Sequence, residues 1–229
     1  KNIAYSKALD YIWSNLVNTR MHITGGLGAV HGIEGFGPKY LLPNADAFNE
    51  TCAAVGNVLF NFRMFLVHKD AKYLDVAEIA LLNNVLAAVN LEGNRFFYVN
   101  PLEADGKYPF NHGTAGRAPW FGTACCPSNM ARLLPQVQGM TYAHDEKDLY
   151  ITFYAETATR IKIAGTEVGI QQKTAYPNEG NIEIILNPAK PTSFRLLLRI
   201  PTWTGKQFVP GELYQYADSK VEPWKLSIN

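Results

Sequence analysis

Near residue 145 the apolar side chains change their period from that of a helix to that of a strand, which divides the chain into two kinds of structure. Before this point Leu9, Ile12, Trp13 and Leu16 share one face of a first helix, ended at the latest by the Gly25-Gly26 pair. Asp46 or Asn49 is suited to cap a long second helix, with Val55, Val58, Leu59, Phe62 and Leu66 as its buried stripe. Leu74, Ala77, Leu81, Val85 and Ala88 mark a third, closed by Gly93. A fourth is expected from Ser128 or Asn129, kinked or limited by Pro135, because proline removes a backbone donor. After Asp145 come short β-rich runs: Leu149–Tyr154, Thr159–Ile163, Val168–Thr174, Asn181–Leu186 and Phe194–Ile200. Strands at this spacing suggest a β-sandwich. The pattern therefore predicts α plus β in sequence, helical over residues 1–145 and sandwich-like over 146–229.

A hydrophobic share of 47% in 229 residues is enough for a substantial core in one large domain or two small ones. A formal charge of +1 gives no reason to expect nucleic acid or an anionic membrane as partner. No run of about 18 apolar residues is present to form a membrane-spanning helix. The chain opens in helical pattern at Lys1, without an initiator Met, and stops at Asn229 without a terminator, so it reads as part of a longer polypeptide. The compartment is left open between cytoplasm and periplasm.

Two glycine-rich loops interrupt the helical part, from Thr24 to Pro38 and from Pro109 to Pro127, the second leading to the adjacent pair Cys125-Cys126. Long loops over a helical scaffold commonly carry binding and catalytic groups. The third cysteine, Cys52, stands two residues after Glu50. Three cysteines do not make a disulfide framework, but three thiols and a carboxylate suit a tetrahedral zinc ion. Residues two apart in a helix diverge by about 200°, so Glu50 and Cys52 converge only if Glu50 lies at or before the first turn. Cys125 and Cys126 face the same difficulty, which an irregular segment before Pro127 would relieve. The spacing leaves a second reading open, in which all three thiols are buried in the core, as free cysteines usually are.

Other residues are less distinctive. Glu34 is a lone acid in an uncharged glycine loop, so a solvated carboxylate is its plain reading. His31 and His112 lie in the two loops and are weaker candidates for substrate contact, while His68 suits a helix C-terminus. Trp120-Phe121 would serve as core or as an apolar wall for a sugar ring.

The runs Thr24-Gly25-Gly26-Leu27-Gly28, Glu34, Leu42-Pro43-Asn44, Glu50-Thr51-Cys52, Tyr98-Val99-Asn100-Pro101-Leu102 and Trp120-Phe121-Gly122-Thr123-Ala124-Cys125-Cys126-Pro127 resemble glycoside hydrolase family 127. That family contains cysteine-dependent, zinc-containing β-L-arabinofuranosidases. The resemblance covers roughly residues 20–145, and Leu198-Arg199-Ile200-Pro201-Thr202-Trp203 also fits. It implies the later part of an (α/α)6 barrel followed by the start of a β-sandwich region. Carried over by motif, Cys125 resembles the nucleophile, Glu34 the general acid/base, and Glu50, Cys52, Cys125 and Cys126 the ligands of a Zn2+ ion. The implied substrate is an arabinose-containing glycan or oligosaccharide. The absent first half of the barrel implies exposed apolar helix faces, or a partner such as a second copy to cover them. Two other classes compete: a zinc-stabilised module that holds carbohydrate without cleaving it, and a redox module built on a Cys125-Cys126 disulfide, whose eight-membered ring would be strained.

Overall fold

The computed structural model describes residues 2–205, 207–218 and 221–228. The protein is α plus β, with helices in its first part and small sheets in its second. It divides into two compact units, residues 1–133 with 201–229, and residues 134–200. No helix among the described residues is long and apolar enough to cross a membrane.

Helix α1 spans Ile3–Thr19 and is capped by Asn2, whose side chain accepts the Ala4 N–H at 3.0 Å. The apolar face read from the sequence is only half used. Trp13 and Val17 are buried, but Leu9 and Ile12 are exposed, as are Ile3, Tyr5 and Tyr11. Helix α2, Thr51–His68, starts at Glu50 rather than at a cap on Asp46 or Asn49, and no side chain caps it. Its buried stripe is also rotated from the expected one. Val55 and Val58 are buried, Leu66 is exposed, and the inward face carries Asn57 and Asn61.

Those asparagines explain the rotation. The Trp13 indole N–H donates to Asn61 Oδ1 at 2.7 Å, Asn61 Nδ2 to Asn57 Oδ1 at 2.7 Å, and Asn57 Nδ2 to the Gly25 carbonyl at 2.9 Å. A buried amide with its partners in place avoids the desolvation penalty of an unpaired one. This chain of amides ties α1 and α2 to the first glycine loop. The loop is not loosely packed there. A Cβ on Gly25 would stand 2.6 Å from the Ala80 backbone, and one on Gly26 would stand 1.9 Å from Asn49 Oδ1. Close packing, not flexibility, requires glycine at both places.

Helix α3, Ala71–Ala80, is capped by Asp70 and runs on through a wider π turn, Leu81–Val85, into a 3₁₀ turn, Leu86–Ala88. Leu74, Ala77, Leu81, Val85 and Ala88 are all buried, as their spacing predicts. Helix α4, Cys125–Val137, begins three or four residues earlier than the sequence pattern suggests. Pro127 fits in its first turn, where a missing N–H costs no helical hydrogen bond.

Residues 134–200 carry six strands: β1 Tyr142–His144, β2 Asp148–Ile151, β3 Thr157–Ile163, β4 Thr166–Thr174, β5 Ile182–Pro188 and β6 Arg195–Leu198. They form two three-stranded sheets, ordered β1-β2-β6 and β3-β4-β5. Ala164 and Gly165, both at positive φ, close the β3–β4 hairpin in the geometry that matches strand twist. Leu149 and Ile151 of one sheet cluster with Ile163, Val168 and Ile170 of the other. In the parallel β2–β6 pair Asp148 lies opposite Arg195, whose Nε and Nη2 both donate to its carboxylate at 2.6 Å. That guanidinium holds the Asp148 carboxyl below the usual carboxylate range.

The amide chain gives a direct test. Asn61→Leu removes the acceptor of a buried indole N–H, and should destabilise the protein by about 1–3 kcal/mol. Chemical denaturation would read this as a lower midpoint with the slope unchanged.

Candidate metal centre

The start of α2 is what brings Glu50 and Cys52 together. Glu50 has extended backbone, φ −63° and ψ 134°, while Cys52 is already in the first helical turn. The extended stretch is held against residues 96–99. Glu50 bridges Val99, the Thr51 N–H donates to the Tyr98 carbonyl at 3.0 Å, and Thr51 Oγ1 donates to the Phe97 carbonyl at 2.9 Å. Asn49, at φ +43°, makes the turn into it.

Cys125 and Cys126 stand in the first turn of α4, not in an irregular segment. Adjacent helical residues point about 100° apart, so both sulfurs face a common centre lying off the helix end. Ser128 Oγ fastens this turn by hydrogen bonds of 2.9 Å to the Ala124 and Cys125 carbonyls.

The structure brings Glu50, Cys52, Cys125 and Cys126 together, with one ligand atom from each lying within 4.8 Å of all the others. Sγ of Cys125 is 3.9 Å from Sγ of Cys126 and 3.8 Å from Glu50 Oε1, and Cys126 Sγ is 3.6 Å from the same oxygen. A tetrahedral centre with sulfurs at about 2.3 Å has edges of about 3.8 Å, which these three spacings match. Cys126 is fully buried and the other three are half-buried. Behind the cluster lies an apolar wall of Phe48, Val99, Phe110 and Phe121.

The thiols influence one another strongly. The hydrogen bond from Cys126 lowers the Cys52 thiol from its ordinary value, and the Asn129 amide, donating at 3.1 Å, acts in the same direction. Burial raises Cys125, and the bond to Cys52 together with burial raises Cys126. One thiolate is thus favoured on Cys52 and opposes the next two. A cation at the centre reverses this order, because it attracts every thiolate.

Glu34 reaches the same cluster from the first loop. Its backbone is left-handed, at φ +47°, and its carboxylate accepts the Tyr98 hydroxyl at 3.2 Å. The Cys125 thiol donates to that same hydroxyl at 3.1 Å. Laid end to end, the two contacts place the Cys125 sulfur and the Glu34 oxygen no more than about 6.3 Å apart.

Two residues of this arrangement are not singled out as site residues by the sequence, although Tyr98 lies in one of the runs that carry the family resemblance. Tyr98 reads as one more aromatic in an apolar run. Asn111 is fully buried, and its Oδ1 accepts the N–H groups of Tyr98 and Val99 at 2.8 and 3.2 Å. Its Nδ2 donates to the Phe96 and Gly116 carbonyls at 3.1 and 2.9 Å. One amide thereby joins the Tyr98 segment to the loop that leads to the cysteines. Its position in the Pro109–Pro127 loop was the available clue, since asparagine commonly bonds backbone in turns.

The remaining candidates separate. His112 is exposed at φ +50° with its ring 4.4 Å from that of Tyr98, whereas His31 packs edge-on to Phe48. His68 ends α2, 3.2 Å from Asp10. Phe121 belongs to the core, while Trp120 is exposed and meets Phe96 edge-on. His22 is buried, which lowers its pKa to about 4.

Comparison with known proteins finds relatives for both parts of the chain. The family model for the β-L-arabinofuranosidase GH127 catalytic domain matches residues 1–139, and that for the GH127 middle domain matches residues 148–221. A non-reducing end β-L-arabinofuranosidase of Bifidobacterium longum subsp. longum is 35% identical over 199 residues, which are 84% of this chain and 30% of that protein. A GH127 β-arabinofuranosidase structure is 44% identical, with a TM-score of 0.87 over 95% of this chain and 33% of that one. A GH127 β-L-arabinofuranosidase from Geobacillus stearothermophilus T6 is 37% identical, with a TM-score of 0.79 over 84% of this chain and 31% of that one. The chain thus spans about a third of the length of these relatives.

Since burial and mutual repulsion hold Cys125 and Cys126 protonated without a cation, metal uptake should expel their protons. Affinity should therefore rise with pH and be lost on acidification. Adding Zn2+ to metal-free protein in dilute buffer should acidify the solution, and Cys126→Ser should abolish stoichiometric binding. Uptake without proton release would contradict this picture of the cluster.

Proposed function

Because the chain belongs to glycoside hydrolase family 127, we propose that the intact protein is a retaining glycosidase acting on L-arabinofuranosides or related sugars. Cys125 is its nucleophile and Glu34 its general acid/base. The observation that carries this reading is the approach of Glu34 to Cys125. Retaining enzymes hold their two reacting groups about 5–5.5 Å apart, and inverting ones about 6.5–9.5 Å. The upper bound set by the two contacts, about 6.3 Å, falls below the inverting range and so supports the retaining course.

The sulfur of Cys125 attacks the anomeric carbon as the glycosidic carbon–oxygen bond breaks. Glu34 gives its proton to the departing oxygen. In the second half Glu34 takes a proton from water, whose oxygen attacks the same carbon and breaks the carbon–sulfur bond. Glu50, Cys52, Cys125 and Cys126 would hold a Zn2+ ion, which when bound keeps the cysteine sulfurs as thiolates near neutral pH. The other ligands fix the position of the Cys125 sulfur, and the aromatic wall behind it limits the access of water.

For the intact protein we infer an (α/α)6 barrel whose later part is residues 1–145, followed by a β-sandwich region beginning at 146. Exposed Tyr5, Leu9 and Ile12 share one face of α1, which supports a further helical half, or a second copy, packing there. An arabinose-containing glycan or oligosaccharide is the proposed substrate, in keeping with the names of the relatives.

One feature favours a second reading. Four protein donors fill a tetrahedron, as in a closed structural zinc site, which would suit a module that holds carbohydrate without cleaving it. Cys125→Ser in the full-length protein separates the two. A catalytic site loses turnover and keeps much of its fold, whereas a structural site loses metal and fold together. Glu34→Gln should slow hydrolysis of an ordinary arabinoside by about 10²–10⁴-fold. It should do much less damage with an activated aryl arabinoside, whose leaving group needs no proton, and metal content should not change. Near wild-type turnover of the unactivated substrate would remove Glu34 from the acid role.

A further inference from the structure

We propose that Tyr98 is the positioning residue that sets the distance between Cys125 and Glu34, one hydroxyl fixing both groups at once. The inference rests on the glycosidase reading and adds to it the means by which a loop carboxylate is registered against a helix-borne sulfur.

The hydroxyl is the right group in the right place. It carries one donor proton and two acceptor lone pairs, so it accepts from whichever neighbour is protonated and donates to the other. As the groups stand, the Cys125 thiol donates to it and it donates to Glu34. With Cys125 as thiolate and Glu34 as acid, the pair the first step requires, both hydrogen bonds reverse and both survive. An apolar side chain at this place would support neither arrangement.

Its own position is fixed independently of its partners. The ring is buried and meets Phe48, His112 and Phe121 edge-on, at centroid distances of 6.1, 4.4 and 5.6 Å. Asn111 holds its N–H, and its carbonyl accepts from Thr51 beside Glu50. Glu34, by contrast, is an exposed residue at a left-handed turn of a glycine loop. The loop backbone is tied by the Val30–Gly35 bridge, and the hydrogen bond from Tyr98 is what fixes the exposed carboxylate itself against the sulfur.

Tyr98→Phe tests this, since the ring and its packing stay while the hydroxyl goes. In the full-length, metal-loaded enzyme kcat should fall about 100-fold, the scale of a 1 Å misplacement. KM, thermal midpoint and zinc content should stay close to wild type. The loss should appear with both an unactivated and an activated aryl arabinoside, because nucleophile and acid are both released. Unchanged kcat on both substrates would overturn the proposal. A loss confined to the unactivated substrate would also overturn it, by showing that the hydroxyl serves Glu34 alone. A lowered midpoint with metal loss would make Tyr98 a structural residue and overturn it as well. If the wild-type protein cleaves no arabinoside, the glycosidase reading fails separately. Crystal structures of wild type and Tyr98→Phe then decide: a widened separation of Glu34 from Cys125 supports the positioning role, and an unchanged one rejects it.

Discussion

Everything at this site depends on bringing side chains that are neighbours in sequence to a single point, against the divergence a helix imposes. The chain solves this twice in the same way, by setting each pair at a helix N-terminus. Glu50 stays extended while Cys52 enters the first turn of α2, and Cys125 and Cys126 open α4. Both helices then direct the positive end of their dipoles toward the sulfurs. That field favours thiolate over thiol. It acts against the burial that raises Cys125 and Cys126.

The helix ends are in turn held by buried amides rather than by hydrophobic packing alone. Asn111 ties the Tyr98 segment to the cysteine loop, and Thr51 ties α2 to that segment. The chain from Trp13 through Asn61 and Asn57 to Gly25 secures the loop that carries Glu34. Amides suit this task because each bond has a direction and a length, whereas apolar contact tolerates sliding. Gly25 and Gly26 belong to the same device, since any Cβ there would push the loop off Ala80 and Asn49.

How much of this was legible depended on range. The period change near residue 145, the buried face of α3 and five of the six strands follow local spacing, and local spacing is what a sequence displays. The need for a non-helical Glu50 was also readable, because it follows from the geometry of two residues on one helix. The start of α4 was misjudged because Pro127 reads as a boundary although it is harmless in a first turn. The stripe of α2 was misjudged because Asn57 and Asn61 look like surface residues until Trp13 and Gly25 are seen beside them. Tyr98 lies 64 residues from Glu34 and 27 from Cys125, so only the fold discloses that one hydroxyl meets both. Strand β1 and the parallel pairing of β2 with β6 were hidden for the same reason.

A cation at this centre would bind the fold as well as the substrate chemistry. Cys52 and the Cys125-Cys126 pair lie more than seventy residues apart, and they join α2 to α4 across α3, its terminal turns and a glycine-rich loop. Closing such a loop in the unfolded chain carries an entropic penalty, and a ligand that binds only the closed form shifts the balance toward it. Without the cation, three thiols and a carboxylate pack against an apolar wall with their negative forms opposed to one another. A cation bound there would relieve this opposition and steady the helix ends as well. The buried amides hold those ends so that one ligand atom from each of the four residues lies within 4.8 Å of the others.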